Sequence, residues 1–156
     1  VEDIAAATRI ARRTFFNYFD SKEAVLFDPD PADPAHWEAA AALRPSEESP
    51  WVSVREFFVG YLSDCGPKLA AQKELIAASP ALAQRSRATS ERLNGFVDAW
   101  LAERVPDSFD RALLINTAFT VVNTAFAQWR PQHGFDELRD LIYRGFAAVG
   151  IDQENS

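Results

Sequence analysis

Apolar positions recur at three- and four-residue intervals in segment after segment of this chain, and no stretch alternates apolar and polar residues long enough to form a strand. The pattern predicts an all-α protein. Glu2 to Thr8 reads as a short alanine-rich helix and Arg12 to Phe19 as a second, while Asp20 and Glu23 supply the cap and the N3 acid of a third. "DPDPADP", Asp28 to Pro34, cannot continue a helix, because its prolines lack a donor and force extended backbone before each of them. Ala35 to Leu43 then forms a brief helix, "RPSEESP" a loop, and Pro50 opens a helix with Trp51, Val54, Phe58 and Tyr61 on one stripe. Gly66 and Pro67 end it. Lys68 to Ala78 is the next helix, Ser79 and Pro80 cap and open a long one through about Arg104, and Pro106 with Asp107 starts another that runs to Trp129. A final helix follows Gly134 and stops near Gly150, leaving "DQENS" as a frayed tail.

The last two helices carry more apolar surface than the others. Leu113 to Trp129 is apolar around most of its circumference, and Phe135, Leu138, Ile142, Phe146 and Val149 line one broad face of its successor. Two readings are open: an ordinary core, or a homodimer made by packing this pair against its symmetry mate. On the first of these helices Asn116, Thr120 and Asn123 share a stripe, and amides in an apolar wall need partners, whether backbone, water, a dimer mate or a ligand.

Charge changes the picture at one end only. The chain has 156 residues and a net charge of −7, which as a whole repels phosphate. Yet residues 9–22 hold Arg9, Arg12, Arg13 and Lys22 against Asp20 alone, whereas residues 23–156 hold 12 basic and 20 acidic side chains. The single Cys65 has no intrachain partner, and with neither a secretory segment nor a long apolar run the expected compartment is the cytoplasm. His36 and His133 stand far apart without zinc-ligand spacing, so no metal and no cofactor is expected. Methionine is absent and the chain opens on Val1, from which a longer parent chain is expected.

"RRTFFNYF", Arg12 to Phe19, divides its aromatics between two faces. At about 100° per residue, Phe15 and Phe19 fall on one side with Arg12 and Phe16, and Arg13, Thr14, Asn17 and Tyr18 fall on the other. The first side anchors the helix to a small core. The second presents a guanidinium, an amide, a hydroxyl and a phenol, which match what base edges and phosphates accept. Only Arg9 to Ala11 separate this helix from the one before it, the turn length of a helix-turn-helix. Lys22 lies in the first turn of the following helix, where free N–H groups already favour phosphate. A plain amphipathic helix with a solvated polar face is the competing explanation.

"VEDIAAATRIARRTFFNYFDSKEAVLF" resembles the end of the DNA-binding domain of the tetracycline-repressor (TetR) family of bacterial transcription regulators, through "DIA", "RRTFFNYF" and "SKEA" in the family's order and spacing. The resemblance covers about the first 27 residues. It implies base or phosphate contacts for Arg12, Arg13, Thr14, Asn17 and Tyr18, a phosphate contact for Lys22, and core positions for Ile4, Phe15 and Phe19. Three positions depart from the pattern: Arg9 stands at the usual turn glycine, Ala11 at the usual serine or threonine cap, and Phe16 at a phosphate-contacting aromatic that is commonly tyrosine. The family's first DNA-binding helix is expected before Val1.

The resemblance further implies a body that binds a small-molecule effector between its middle helices and dimerises through its last two. On that basis residues 1–27 are the remainder of the helix-turn-helix, 28–49 a loop and connecting helix, 50–151 the ligand-binding and dimerisation domain, and 152–156 a tail. Phe57, Tyr61, Phe96, Trp100, Phe119 and Asn123 are the expected ligand contacts, and Phe126, Trp129, Leu138, Ile142 and Phe146 the expected dimer interface. The partners are double-stranded operator DNA, an effector and a second copy of the chain; no membrane is expected. The alternative is a helical small-molecule sensor or carrier that does not bind DNA. An enzyme is not expected, because Glu56, Asp64, Glu74 and Asp98 read as solvated faces and no nucleophile–base pair or glycine-rich phosphate loop occurs.

Overall fold

The structure is a computed structural model that describes residues 30–78 and 80–150. The helices expected within residues 1–27, the cap at Ser79 and the tail lie outside the described residues. Six α-helices and no strand occur among the described residues: α1 (Asp33–Ala42), α2 (Pro50–Asp64), α3 (Gly66–Ala78), α4 (Pro80–Leu101), α5 (Ser108–Gln128) and α6 (Gly134–Val149). A short turn of 3₁₀ helix, Pro131–His133, joins the last two.

Local chemistry sets most of the boundaries. Ser49 caps α2, its hydroxyl accepting from the Val52 amide at 3.4 Å, and Pro50 follows where a missing N–H costs nothing. Asp107 caps α5 by accepting from the amides of Phe109 and Asp110 at 2.9 and 3.0 Å. Gly134, with φ of 77°, makes the left-handed turn into α6 that a side chain would resist. Helix α1 starts two residues earlier than its pattern suggests, because Pro34 fits a first turn, and α4 closes at Leu101 rather than Arg104. Gly66 and Pro67 open α3 directly after α2 has ended at Cys65.

Helix α2 is the centre of the bundle, packed by α1, α3, α5 and α6. Its Val54, Phe57 and Phe58 are fully buried, and Phe57 joins Phe96 and Trp100 of α4 in an aromatic cluster with ring centroids 6.0 and 5.4 Å away. The segment expected to be a mere connection contributes to this core: Trp37 of α1 is buried against Phe96 and Tyr61. Helix α5 buries one face, Ile115, Ala118, Val121, Val122 and Ala125, and leaves Phe109 and Leu113 outside at 72% and 56% exposure. Asn116, Thr120 and Asn123 are likewise exposed, so the amides that the sequence pattern placed in an apolar wall are open to solvent.

Helix α6 buries Leu138, Ile142 and Phe146 completely, each worth about 1.5–3 kcal/mol relative to exposure. It packs closely enough on α5 that a Cβ at Gly145 would stand 2.5 Å from Val121 Cγ1. Pairing of Gly145 with Val121, and of Gly134 with Trp129 through a 2.8 Å indole hydrogen bond, runs the two helices antiparallel. No helix among the described residues is long and apolar enough to cross a membrane.

Candidate functional site

A cavity of about 140 Å³ lies between the helices of the body, partly open to solvent. Helix α2 gives it Phe58, Tyr61 and Leu62, and Cys65 follows at the helix end. Lys68, Leu69, Gln72 and Ile76 project from α3, one turn apart or nearly so; Ser86, Thr89, Ser90 and Leu93 from α4; and Phe119, Val122, Asn123 and Phe126 from α5. Asp33 completes the wall from the first turn of α1. An apolar chamber with a few polar groups at fixed positions is the usual form of a small-molecule site.

The polar groups differ in character. The Ser90 hydroxyl is already committed, donating to the Ser86 carbonyl at 3.1 Å. Burial pushes the Tyr61 phenol and the Cys65 thiol above their ordinary values, and the charge of Asp33 beside them pushes both further, so each is a neutral hydrogen-bonding group at physiological pH. Trp37 Nε1 is buried next to Tyr61 without reaching hydrogen-bond geometry. Asp33 is only 7% exposed. Its Oδ2 accepts from the Asp30 amide at 3.2 Å, and no ion pair to it occurs among the described residues.

Lys73, on the same helix as four of the lining residues, ties the cavity wall together. Its Nζ donates to the carbonyls of Phe126, at 2.5 Å, Ala127 and Trp129, the free acceptors at the C-terminal end of α5, and stands 5.4 Å from the centre of the Phe126 ring. At the other end of the body Arg104 fastens the loop before α2, donating to Ser53 Oγ and to the carbonyls of Pro45, Ser46 and Glu48. Two of the four carboxylates weighed as reactive have such structural partners: Glu56 accepts from the Tyr143 hydroxyl at 2.9 Å and from Arg55, and Asp98 from Arg111 at 2.8 Å. Asp64 and Glu74 are exposed. No group of three or more metal-ligating side chains occurs among the described residues.

Of the six expected ligand contacts, the structure brings Tyr61, Phe119 and Asn123 to the cavity. Phe57 lies inside the aromatic cluster, and Phe96 and Trp100 line a shallow recess between α1 and α4, facing Glu38, Ala41 and Ala42. Of the five expected interface residues, Trp129, Leu138, Ile142 and Phe146 are buried within the single chain and Phe126 lines the cavity. A side chain with no exposed surface has none to offer a second copy, so the outer surface of α5 and α6 is built from other residues. Asp33, Leu69, Gln72 and Ile76 were not singled out in the sequence. Asp33 sits in a proline-rich stretch that reads as a loop, and the α3 residues carry no local signal beyond helical periodicity.

Arg12, Arg13, Thr14, Asn17, Tyr18 and Lys22, the expected DNA contacts, lie outside the described residues. For them the informative finding is a comparison. Residues 1–28 match the family model described as bacterial regulatory proteins, tetR family. No curated protein and no solved structure matches the chain. The match spans the segment that holds the chain's concentrated positive charge and the sequence "RRTFFNYF", and the described residues behind it form helices and no strand. Over residues 1–28 the chain is thus similar to the tetR family of bacterial regulatory proteins.

Proposed function

We propose that the protein is a ligand-responsive transcriptional repressor that binds operator DNA as a homodimer through the helix-turn-helix of residues 1–27, with the cavity between α2, α3, α4 and α5 as its effector site. The observation that carries this reading is the family match of residues 1–28; the cavity in the body behind them supports the response to a ligand. Arg13, Asn17 and Tyr18 read base edges and phosphates, Arg12 and Thr14 assist, and Lys22 holds phosphate at a helix start.

The homodimer is supported by what α5 and α6 leave outside. Phe109, Leu113 and Val149 are exposed, and the antiparallel pairing sets Val149 near the level of Leu113 and Thr117. Thr117, Thr120 and Thr124 turn their hydroxyls back onto the carbonyls four residues earlier at 2.7–2.8 Å. Their polarity is thereby consumed within the helix, and the surface shows methyl groups to a partner.

Two reading heads on such a dimer must meet major-groove half-sites roughly 34–36 Å apart. A ligand that fits only the arrangement with mismatched heads draws the population away from DNA, by no more than its difference in affinity for the two arrangements. Helix α3 suits this role, since it lines the cavity and is latched to α5 through Lys73.

The test is to incubate the complete protein with fragments of its own chromosomal neighbourhood and sequence those it retains. Enrichment of one site with inverted half-sites is the expected result. A helical sensor or carrier that shares the cavity but ignores DNA retains no fragment, and that outcome would replace this reading.

A further inference from the structure

Resting on the reading of the cavity as an effector site, we infer that its ligand is a compact cationic amphiphile: an apolar body the size of one aromatic ring, carrying a protonated amine that meets Asp33. Size comes first. A cavity of about 140 Å³ is close to those that accept a single benzene ring, and its apolar walls, Phe58, Leu62, Leu69, Ile76 and Phe119 among them, suit such a body.

Charge gives the second half. Asp33 is more than nine-tenths buried, belongs to the cavity wall, and among the described residues has one hydrogen bond, from a backbone amide to one of its two oxygens. It stands in the first turn of α1, at the helix end where the backbone N–H groups point outward. A buried carboxylate without a counter-charge is costly, and the neutral Tyr61 and Cys65 beside it supply none. Lys68 is the one cation among the described lining residues, but it is more exposed, is not ion-paired to Asp33, and has a stem long enough to carry its ammonium into water. An ammonium group on the ligand would compensate Asp33, whereas a carboxylate brought into the same chamber would be repelled by it.

The experiment is calorimetric titration of the complete protein with three probes of matched size: 2-phenylethylammonium, 2-phenylethanol and phenylacetate. The amine is expected to bind about ten-fold or more tightly than either of the others, the difference a charge-assisted hydrogen bond makes. Asp33→Asn is expected to lower the amine to the level of the alcohol while leaving the alcohol unchanged, which also shows that the variant is folded. Alcohol or phenylacetate binding as tightly as the amine would overturn the inference and leave the effector site standing, as would an amine preference that survives Asp33→Asn. Failure of all three probes to bind would overturn both.

Discussion

Lys73→Met tests the latch between α3 and α5. The replacement keeps most of the apolar stem and removes the charge that three carbonyls at the end of α5 share. Hydrogen bonds to a charged group contribute about 1.5–3 kcal/mol, and a cation at a helix C-terminus about 0.3–1 kcal/mol. The two figures describe the same carbonyls and overlap, and the bond to Ala127 is exposed, where water replaces it. A loss of about 2 kcal/mol is therefore expected. For a chain of this size that lowers Tm by about 4–8 °C, with a matching fall in the urea midpoint at unchanged slope. The damage should also be local, with amide exchange in α3 and the last turn of α5 accelerating before that of α6. A midpoint that moves by less than about 0.5 kcal/mol, the scale of an ordinary surface substitution, would refute the reasoning, since it would show the ammonium equally well served by water.

Three further outcomes follow from the same coordinates and sequence. Gly145→Ala forces its methyl against Val121, whose branched side chain has one favoured helical rotamer, so a loss of about 1–2 kcal/mol is expected after the gain in helix propensity; a double-mutant cycle with Val121→Ala should show the two changes coupled in chemical denaturation. Glu137 accepts from the Arg130 side chain and amide and meets His133, contacts that hold its carboxyl at about 2 against an ordinary 4.5. Because that value is depressed, its stabilising effect is complete above about 4.5 and disappears as pH falls toward about 2, and Glu137→Gln should flatten the acid side of the stability profile measured across that window. Substituting Arg13 or Asn17 by Ala should relax base preference by about 1–3 kcal/mol per lost pair, while Lys22→Ala should weaken binding to all sequences alike; identical behaviour in competition binding would show that the base-reading and phosphate-holding roles are wrongly divided.

The helical order of the body was legible because its punctuation is local. Ser49 with Pro50, Pro106 with Asp107, and Gly134 each act within one turn of where they stand, and the helices begin there. What was not legible depends on partners far away in sequence. Helical periodicity marks Leu113 to Trp129 as greasy but cannot say that Val121 faces α6 while Leu113 faces outward. The same ambiguity assigned Leu138, Ile142 and Phe146 to an interface, although α2 and α5 already bury that face. Lys73 reaches acceptors 53 to 56 residues away, and nothing in its own neighbourhood announces them. Asp33 was hidden for the opposite reason: its local signal, a proline-rich stretch, is so strong as loop that its place in a cavity wall went unseen. Tyr61, Phe119 and Asn123 line the cavity, but the sequence pattern could not separate the two aromatics from Phe57, which is core.

The most direct measurement of the central claim is the salt dependence of duplex DNA binding by the complete protein. A reading head that places Arg13, Lys22 and their neighbours on phosphates releases counterions, so log affinity should fall linearly with log salt at a slope of about −0.9 for each phosphate neutralised, and a dimer making roughly six such contacts should lose about a thousand-fold between 50 and 200 mM. Affinity that is absent at low salt, or that stays flat across that range, would contradict the claim that the basic N-terminal segment grips DNA.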